Sequence, residues 1–247
     1  MERQKYLLII LVLFARTPLI GNNAWDYKIY KAYIENDMQE WQRIIDTMQN
    51  EQEKTPDILL TLINFQYGYI AWCIGNDHPD MAKKYLAIAE KNLDLLPKEK
   101  YKATKSAYRS AFYGFRIGLN KIRAPIYGPR SVRHAEQAIE EDDKNPMGYI
   151  QYGNTQYYMP AIFGGSKKIA IKYFQKAEIL MESNGELIKY DWNYLSLLTL
   201  IAQSFEEIGE TEQAHNYYQK ILLIEPEFLW VKNELYPQFL KKLKHTQ

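Results

Sequence analysis

The chain has 247 residues, 47% apolar and 25% charged, with 31 Lys and Arg against 30 Asp and Glu. These proportions describe a folded globular chain, and the near-zero balance argues against a nucleic-acid partner, which calls for a basic excess. A lone cysteine, Cys73, excludes an intrachain disulfide framework and a cysteine-based metal cluster, so a buried small apolar side chain is its simplest role.

The amino terminus reads MERQKYLLIILVLFARTPLIGNNA. Arg3 and Lys5 precede an apolar run from Tyr6 to Phe14, much shorter than the ~20 residues that span a bilayer, and small residues follow at Gly21 and Ala24. This is the pattern of an export signal. The expected layout is a signal peptide over residues 1–24 and a single domain over 25–247, exported to the periplasm, with no stable membrane span once the signal is removed. Arg16 interrupts the apolar stretch, and the alternative is an uncleaved tail that anchors or packs. No cysteine lies nearby to carry a lipid.

Beyond the leader, 21 Tyr, 9 Phe and 5 Trp accompany abundant Leu, Ile, Ala, Lys, Glu and Gln, a helical leaning. WDYKIYKAYIENDMQEWQRIIDTMQNEQE predicts a short helix and then an amphipathic one carrying Met38, Trp41, Ile44, Ile45 and Met48. INFQYGYIAWCIGNDHPDMAKKYLAIAEKNL predicts a hairpin, with Tyr67-Gly68 in its first helix, Gly75 at the turn, and Ala82, Leu86 and Ala89 in its second. Two extra residues around His78-Pro79 are expected to lengthen that turn. In the next unit Tyr113-Gly114 takes the first-helix position, and a long connection through Pro125 to Pro129 leads to Ala135 and Ala138. A third hairpin sets Tyr149, Tyr152, Gly153 and Gln156 against Ala170, Phe174 and Ala177. The clearest unit runs from Tyr194 to Phe228. Leu198, Ile201, Ala202 and Phe205 share one helical face, Gly209 ends that helix, Ala214, Tyr218 and Ile221 form the next stripe, and Pro226 closes the unit. The tail FLWVKNELYPQFLKKLKHTQ turns Trp230, Leu235, Phe239 and Leu243 inward and its lysines outward.

This last unit resembles a tetratricopeptide repeat: a large apolar residue, Leu-small and an aromatic in the first helix, then small and aromatic residues and a terminal Pro in the second. It departs from the family at Leu198, where Trp is favoured, and at Ala202, where Gly is. More loosely, the chain is similar to the helical-repeat component associated with TRAP-type periplasmic transporters, which carries a proline, an aromatic and paired glycines ahead of a repeat's second helix. The resemblance implies an all-α protein. Its expected form is a right-handed superhelical solenoid of about four hairpins, with N-terminal helices and a C-terminal capping helix, which a solenoid needs to keep its last apolar face dry.

The stretch MPAIFGGSKK, inserted into the third hairpin, has two readings. As a lengthened turn, Pro160 ends the first helix, Phe163 precedes Gly164 and Gly165, which allow a tight reversal, and Ser166 caps the next helix. As a phosphate loop it lacks the G-x-x-x-x-G-K-[ST] spacing and a preceding strand. The turn is the expectation, with an anion at the helix start as its weaker variant.

No convergent catalytic set is visible. The histidines, His78, His134, His215 and His245, form no H-E-x-x-H pair, and neither a G-x-S-x-G elbow nor a partnered nucleophilic Cys is present. Neither a metal nor another cofactor is expected. Acidic runs such as Glu140–Asp143 read as solvated helix ends. From Lys98 to Arg133, however, ten Lys and Arg face one acid, interleaved with aromatics. That run offers a basic wall for an acidic partner, a carboxylated ligand or a lipid headgroup, unless the cations only coat the surface while the rings pack inward.

In tetratricopeptide scaffolds the first helix of each hairpin lines a concave binding face. Carrying that pattern over selects Phe65, Tyr69, Trp72, Tyr108, Phe115, Asn154, Tyr157 and Gln203, with Glu206 beside them. Aromatic anchors with a few polar groups suit a protein or extended peptide partner, or a small ligand in an aromatic groove. The leading expectation is a non-enzymatic scaffold that binds such a partner. An accessory protein of a periplasmic transporter and a helical hydrolase are the alternatives.

Overall fold

The structure, a computed structural model, describes residues 20–246 except 184, 186 and 187; most of the expected leader lies outside the described residues. The described residues are all-α. The helices are α1 (Ile20–Ile34), α2 (Met38–Asn50), α3 (Pro56–Gly75), α4 (Pro79–Leu95), α5 (Lys102–Leu119) and α6 (Ala124–Glu141). They continue with α7 (Pro146–Tyr158), α8 (Lys167–Glu182), α9 (Trp192–Glu207), α10 (Thr211–Ile224) and α11 (Tyr236–Thr246). Consecutive helices pack as hairpin pairs. The predicted stripes are the buried ones: Ala82, Leu86 and Ala89 on α4, Ala135 and Ala138 on α6, Ala170, Phe174 and Ala177 on α8, and Ala214, Tyr218 and Ile221 on α10.

Local chemistry sets the helix starts. Asp37, Thr55, Asn145, Ser166 and Asp191 each turn a side-chain oxygen back onto a backbone N–H of the first turn, and Pro56 and Pro146 follow their caps directly. In α11, Pro237 removes one N–H from the helical ladder, and the wide turn Val231–Leu235 lies just ahead of it.

Three hairpins share one reversal. Asn36, Asp77 and Gly209 occupy the left-handed region, with φ of 57°, 58° and 78°. In each, the next N–H reaches five residues back, Asp37 to Ala32, His78 to Cys73 and Glu210 to Phe205, at 2.8–3.0 Å. The α3–α4 turn is therefore as short as the α9–α10 turn, and the expected lengthening at His78-Pro79 is absent. Asp77 does there what Gly209 does in the last hairpin. The expected long connection from Pro125 to Pro129 is also absent: both prolines lie within α6, Pro125 in its first turn, where its missing N–H costs nothing.

The α7–α8 reversal is longer. A 3-10 turn spans Ala161–Phe163 after Pro160, Gly164 takes φ +94°, and a Cβ on Gly165 would sit 1.8 Å from the Met159 carbonyl oxygen. The amides of Phe163, Gly164, Gly165 and Ser166 all go to carbonyls of Pro160, Ala161 and Gln156, and Ser166 takes the amide of Ile169. Those amides are thus committed to the turn.

The template glycines have unequal roles. Gly153 lets the Phe174 ring approach, where a Cβ would be 2.4 Å from it. Gly68 accommodates Trp192 and Trp41, outside its own hairpin, and Gly114 faces open space. In that second hairpin the close approach is made by Ser110 and Ser131, whose hydroxyls lie 3.2 Å apart.

The core has two clusters. The first gathers Trp41, Ile45, Leu62, Phe65, Tyr69 and Tyr85, and the second Phe174, Leu198, Ile201, Tyr218, Phe228 and Phe239. α3 is long and apolar enough to cross a membrane, but Leu62, Ile63, Ile70 and Cys73 are buried in the first cluster. Helices α1 and α9 join the clusters. α1 sends Ile29 and Ala32 to the first and Tyr30 and Ile34 to the second, while Trp192 of α9 enters the first. The Tyr30 hydroxyl donates to Glu225 at 2.7 Å, closing early chain onto late.

At this junction Asp26 of α1 lies near Asp191, the cap of α9. Burial, with the Asp191 charge adding to it, pushes the Asp26 carboxyl up to about 6. The folded state holds that proton more tightly than the unfolded chain, so stability falls as pH rises from about 4 to about 6 and stays lower above. Asp26→Asn is expected to stabilise the protein by about 1 kcal/mol at neutral pH, allowing for partial exposure, and to change little near pH 4. Urea unfolding at the two pH values checks this.

Candidate ligand-binding groove

Between α4, α5 and α6 lie two adjoining cavities of about 450 and 430 Å³ that share Asp94 and Arg109. Leu93 and Phe112 form the floor of the first, both buried, and Tyr113, Tyr127, Arg116 and Arg130 rise around them. Lys98, Lys102, Lys105 and Gln137 surround the second. Spacing explains the arrangement: Lys105, Arg109, Phe112 and Arg116 fall on one stripe of α5, about a quarter turn from Tyr108 and Phe115. The Ser131 hydroxyl donates to the Ser110 carbonyl at 2.8 Å, a small-residue contact that brings α6 close to α5.

Six cations line this groove against the carboxylates of Glu90 and Asp94, and behind its wall the buried Glu141 carboxylate pairs with Lys102 at 3.4 Å and accepts from Ser106 and Gln137. Lys105 is buried because its ammonium donates to the carbonyls of Asp94 and Leu96, at 3.3 and 2.8 Å, at the C-terminus of α4. Burial, and then the neighbouring Arg109, lower its pKa. Arg116 forks onto Glu90 at 2.7 Å and lies over the Tyr127 ring. Arg109 has only a long contact to exposed Asp94, 3.4 Å. Tyr113 is held between Tyr127 and the parallel ring of His134, with Arg130 over its face. The His134 Nδ1 is buried without a hydrogen-bond partner, and burial, then Arg109 and Arg133, lower the ring's pKa. The result is an anion-attracting trough with one aromatic end.

The residues selected by the repeat pattern fall in three places. Phe65, Tyr69 and Trp72 pack toward α2 and α4: the Phe65 carbonyl accepts from Trp41 Nε1, the Tyr69 hydroxyl donates to Gln42, and Trp72 stacks on Tyr69 and His78. Tyr108, Phe115 and Asn154 gather around Tyr67, a residue the pattern did not select. Tyr67 lies 5.9 and 5.5 Å from the rings of Tyr108 and Phe115, and its hydroxyl accepts from Gln151 and Asn154. Asn64 binds the Tyr108 hydroxyl, Asn193 and Trp192 Nε1, so α3, α5, α7 and α9 interlock here. Tyr157 donates to Glu207 and lies beneath Lys167, while Glu206 accepts from Tyr218 and Lys242; Gln203 is half-buried on the same helix, α9. Pro160, Phe163, Gly164 and Gly165 form the α7–α8 turn.

No family model matches the sequence, and no curated protein does. Among solved structures, the chain is similar to the HusA haemophore from Porphyromonas gingivalis, with TM-score 0.48 and 17% identity over 75% of this chain and 92% of that one.

The groove had a signal in the sequence, the cationic run from Lys98 to Arg133. Of the lining residues outside that run, Glu90, Leu93 and Asp94 come from α4, Leu96 follows it and Gln137 comes from α6, and only the packing of these helices against α5 adds them. Among the described residues, no group of three or more His, Cys, Asp and Glu is placed to hold a metal ion.

Proposed function

We propose that this is a non-enzymatic, exported helical-repeat protein, a right-handed solenoid of tetratricopeptide-like hairpins acting in the periplasm. Its α4–α5–α6 groove binds an acidic, extended segment of a partner protein. The observation that carries this reading is the excess of cations, six against Glu90, Asp94 and the Glu141 that pairs with Lys102, along two joined cavities with Phe112, Tyr113 and Tyr127 at one end. From Lys102 to Arg116 the groove follows α5 for about 20 Å, the reach of about six extended residues. That length favours a peptide over a single compact anion, with an aromatic or aliphatic side chain against the rings and carboxylates toward Lys98, Lys102 and Arg109. The leader-like N-terminus supports export.

Titration of a fluorescent acidic peptide carrying one aromatic residue, followed by anisotropy, tests the proposal. Saturable binding in the micromolar range at low salt is expected, weakening about tenfold at high salt as the exposed cations are screened. Absence of saturable binding overturns it.

One observation favours partner binding at the inner helices instead. The Asn154 Oδ1 is buried without a hydrogen-bond partner beside Tyr67. On that reading Asn154→Ala, and not a change in the groove, weakens partner recovery.

A further inference from the structure

Two hairpins depart from the tight reversal shared by the other three, and both expose apolar side chains at their tips. At the α5–α6 turn Ile122 is 88% exposed and Ile126 58%. At the α7–α8 turn Ile162 is 85% exposed, and Phe163 and Tyr158 are each 70% exposed. Each short connection reverses the chain, and α6 and α5 both pack on α7, so the two tips project from the same end of neighbouring hairpins.

Along the chain both tips lie in stretches of one charge sign, and the carboxylate that reaches the α7–α8 turn from α9, Glu207, is held by Lys167 and Tyr157. No Asp or Glu occurs between Glu99 and Glu136, nor between Asp143 and Glu178. Lys121, Arg123 and Lys168 stand exposed beside the apolar tips. We propose that this end of the molecule docks on an anionic phospholipid bilayer, with Ile122, Ile162 and Phe163 entering the headgroup–acyl boundary and the flanking cations meeting the lipid phosphates. Charge complementarity selects the anionic surface. The shape favours a bilayer: two separate apolar tips on one end, each flanked by cations, can enter the headgroup–acyl boundary together while the cations stay at the phosphates. The groove opens beside this end, since Arg116 and Tyr127 line it and flank the α5–α6 turn. The docking surface is nevertheless a separate site and does not rest on the proposed function.

The sole cysteine, Cys73, is buried, so a thiol-reactive, environment-sensitive fluorophore can be placed on the full chain by Ala161→Cys at the tip, or by Lys144→Cys at the opposite end. Vesicles of phosphatidylcholine with about a third phosphatidylglycerol are compared with pure phosphatidylcholine. The expected result is a blue shift at position 161 on the anionic vesicles only, and none at position 144. The shift should fall about tenfold in the Ile122→Ser, Ile162→Ser, Phe163→Ser variant, whose circular dichroism is unchanged because these side chains touch solvent. No shift at 161 overturns the proposal, as does an equal shift at both positions or binding retained by the triple variant. Attachment through the apolar N-terminal run alone leaves 161 unshifted, and so counts against it.

Discussion

Replacing Trp192 with Ala is expected to cost about 3–5 kcal/mol, the range for removing a large aromatic from a packed core. The residue is buried where the two clusters meet. Its ring lies 5.0 Å from Trp41, 5.8 Å from Tyr33 and 6.2 Å from Tyr67, and its Nε1 donates to Asn64 at 3.0 Å. Gly68 is small because this ring needs the room. Truncation opens a cavity and also takes one donor away from the Asn64 oxygen. A second consequence follows from position. Trp192 is the α9 residue that enters the N-terminal cluster, so its loss weakens the coupling between halves as well as their sum. Urea unfolding followed by far-ultraviolet circular dichroism should show an earlier midpoint and a broadened or two-step transition. Trp192→Phe should recover part of the loss, since it refills volume without the hydrogen bond.

Arg109→Glu is expected to weaken acidic-peptide binding about thirtyfold, or ~2 kcal/mol, while leaving stability within about 0.5 kcal/mol of the parent. Arg109 borders both cavities, so reversal places a negative charge midway along any occupant. Its partner, Asp94, is exposed and 3.4 Å away, a contact that contributes little to folding. Lys105 is a poorer probe of binding because its ammonium caps α4, and removing it leaves the carbonyls of Asp94 and Leu96 unanswered. Parallel anisotropy titrations and thermal melts of the parent and Arg109→Glu separate lost binding from lost folding.

Periodicity carried most of the secondary structure, because each second helix buries its small residues and aromatics at helical steps whatever its neighbours do. It was less informative about turns. Asp77 holds a left-handed conformation that glycine signals strongly and aspartate only weakly, so the α3–α4 turn reads as longer than it is. Pro129 looked like a loop residue because nothing in its own neighbourhood shows α6 continuing through it. The inner face was the least legible. A repeat template assigns each hairpin's surface from its own helices, whereas Tyr67, Asn64 and Trp192 meet across residues more than a hundred positions apart. The groove lies between these extremes: its cations form a run along the chain, and its carboxylates arrive from another helix.

Hydrogen exchange with and without the acidic peptide tests the groove most directly. The account predicts slowed exchange along residues 90–98, 102–116 and 124–134, and unchanged exchange in α7 and α9. Protection confined to α7 and α9, or no protection at all under saturating peptide, would contradict it.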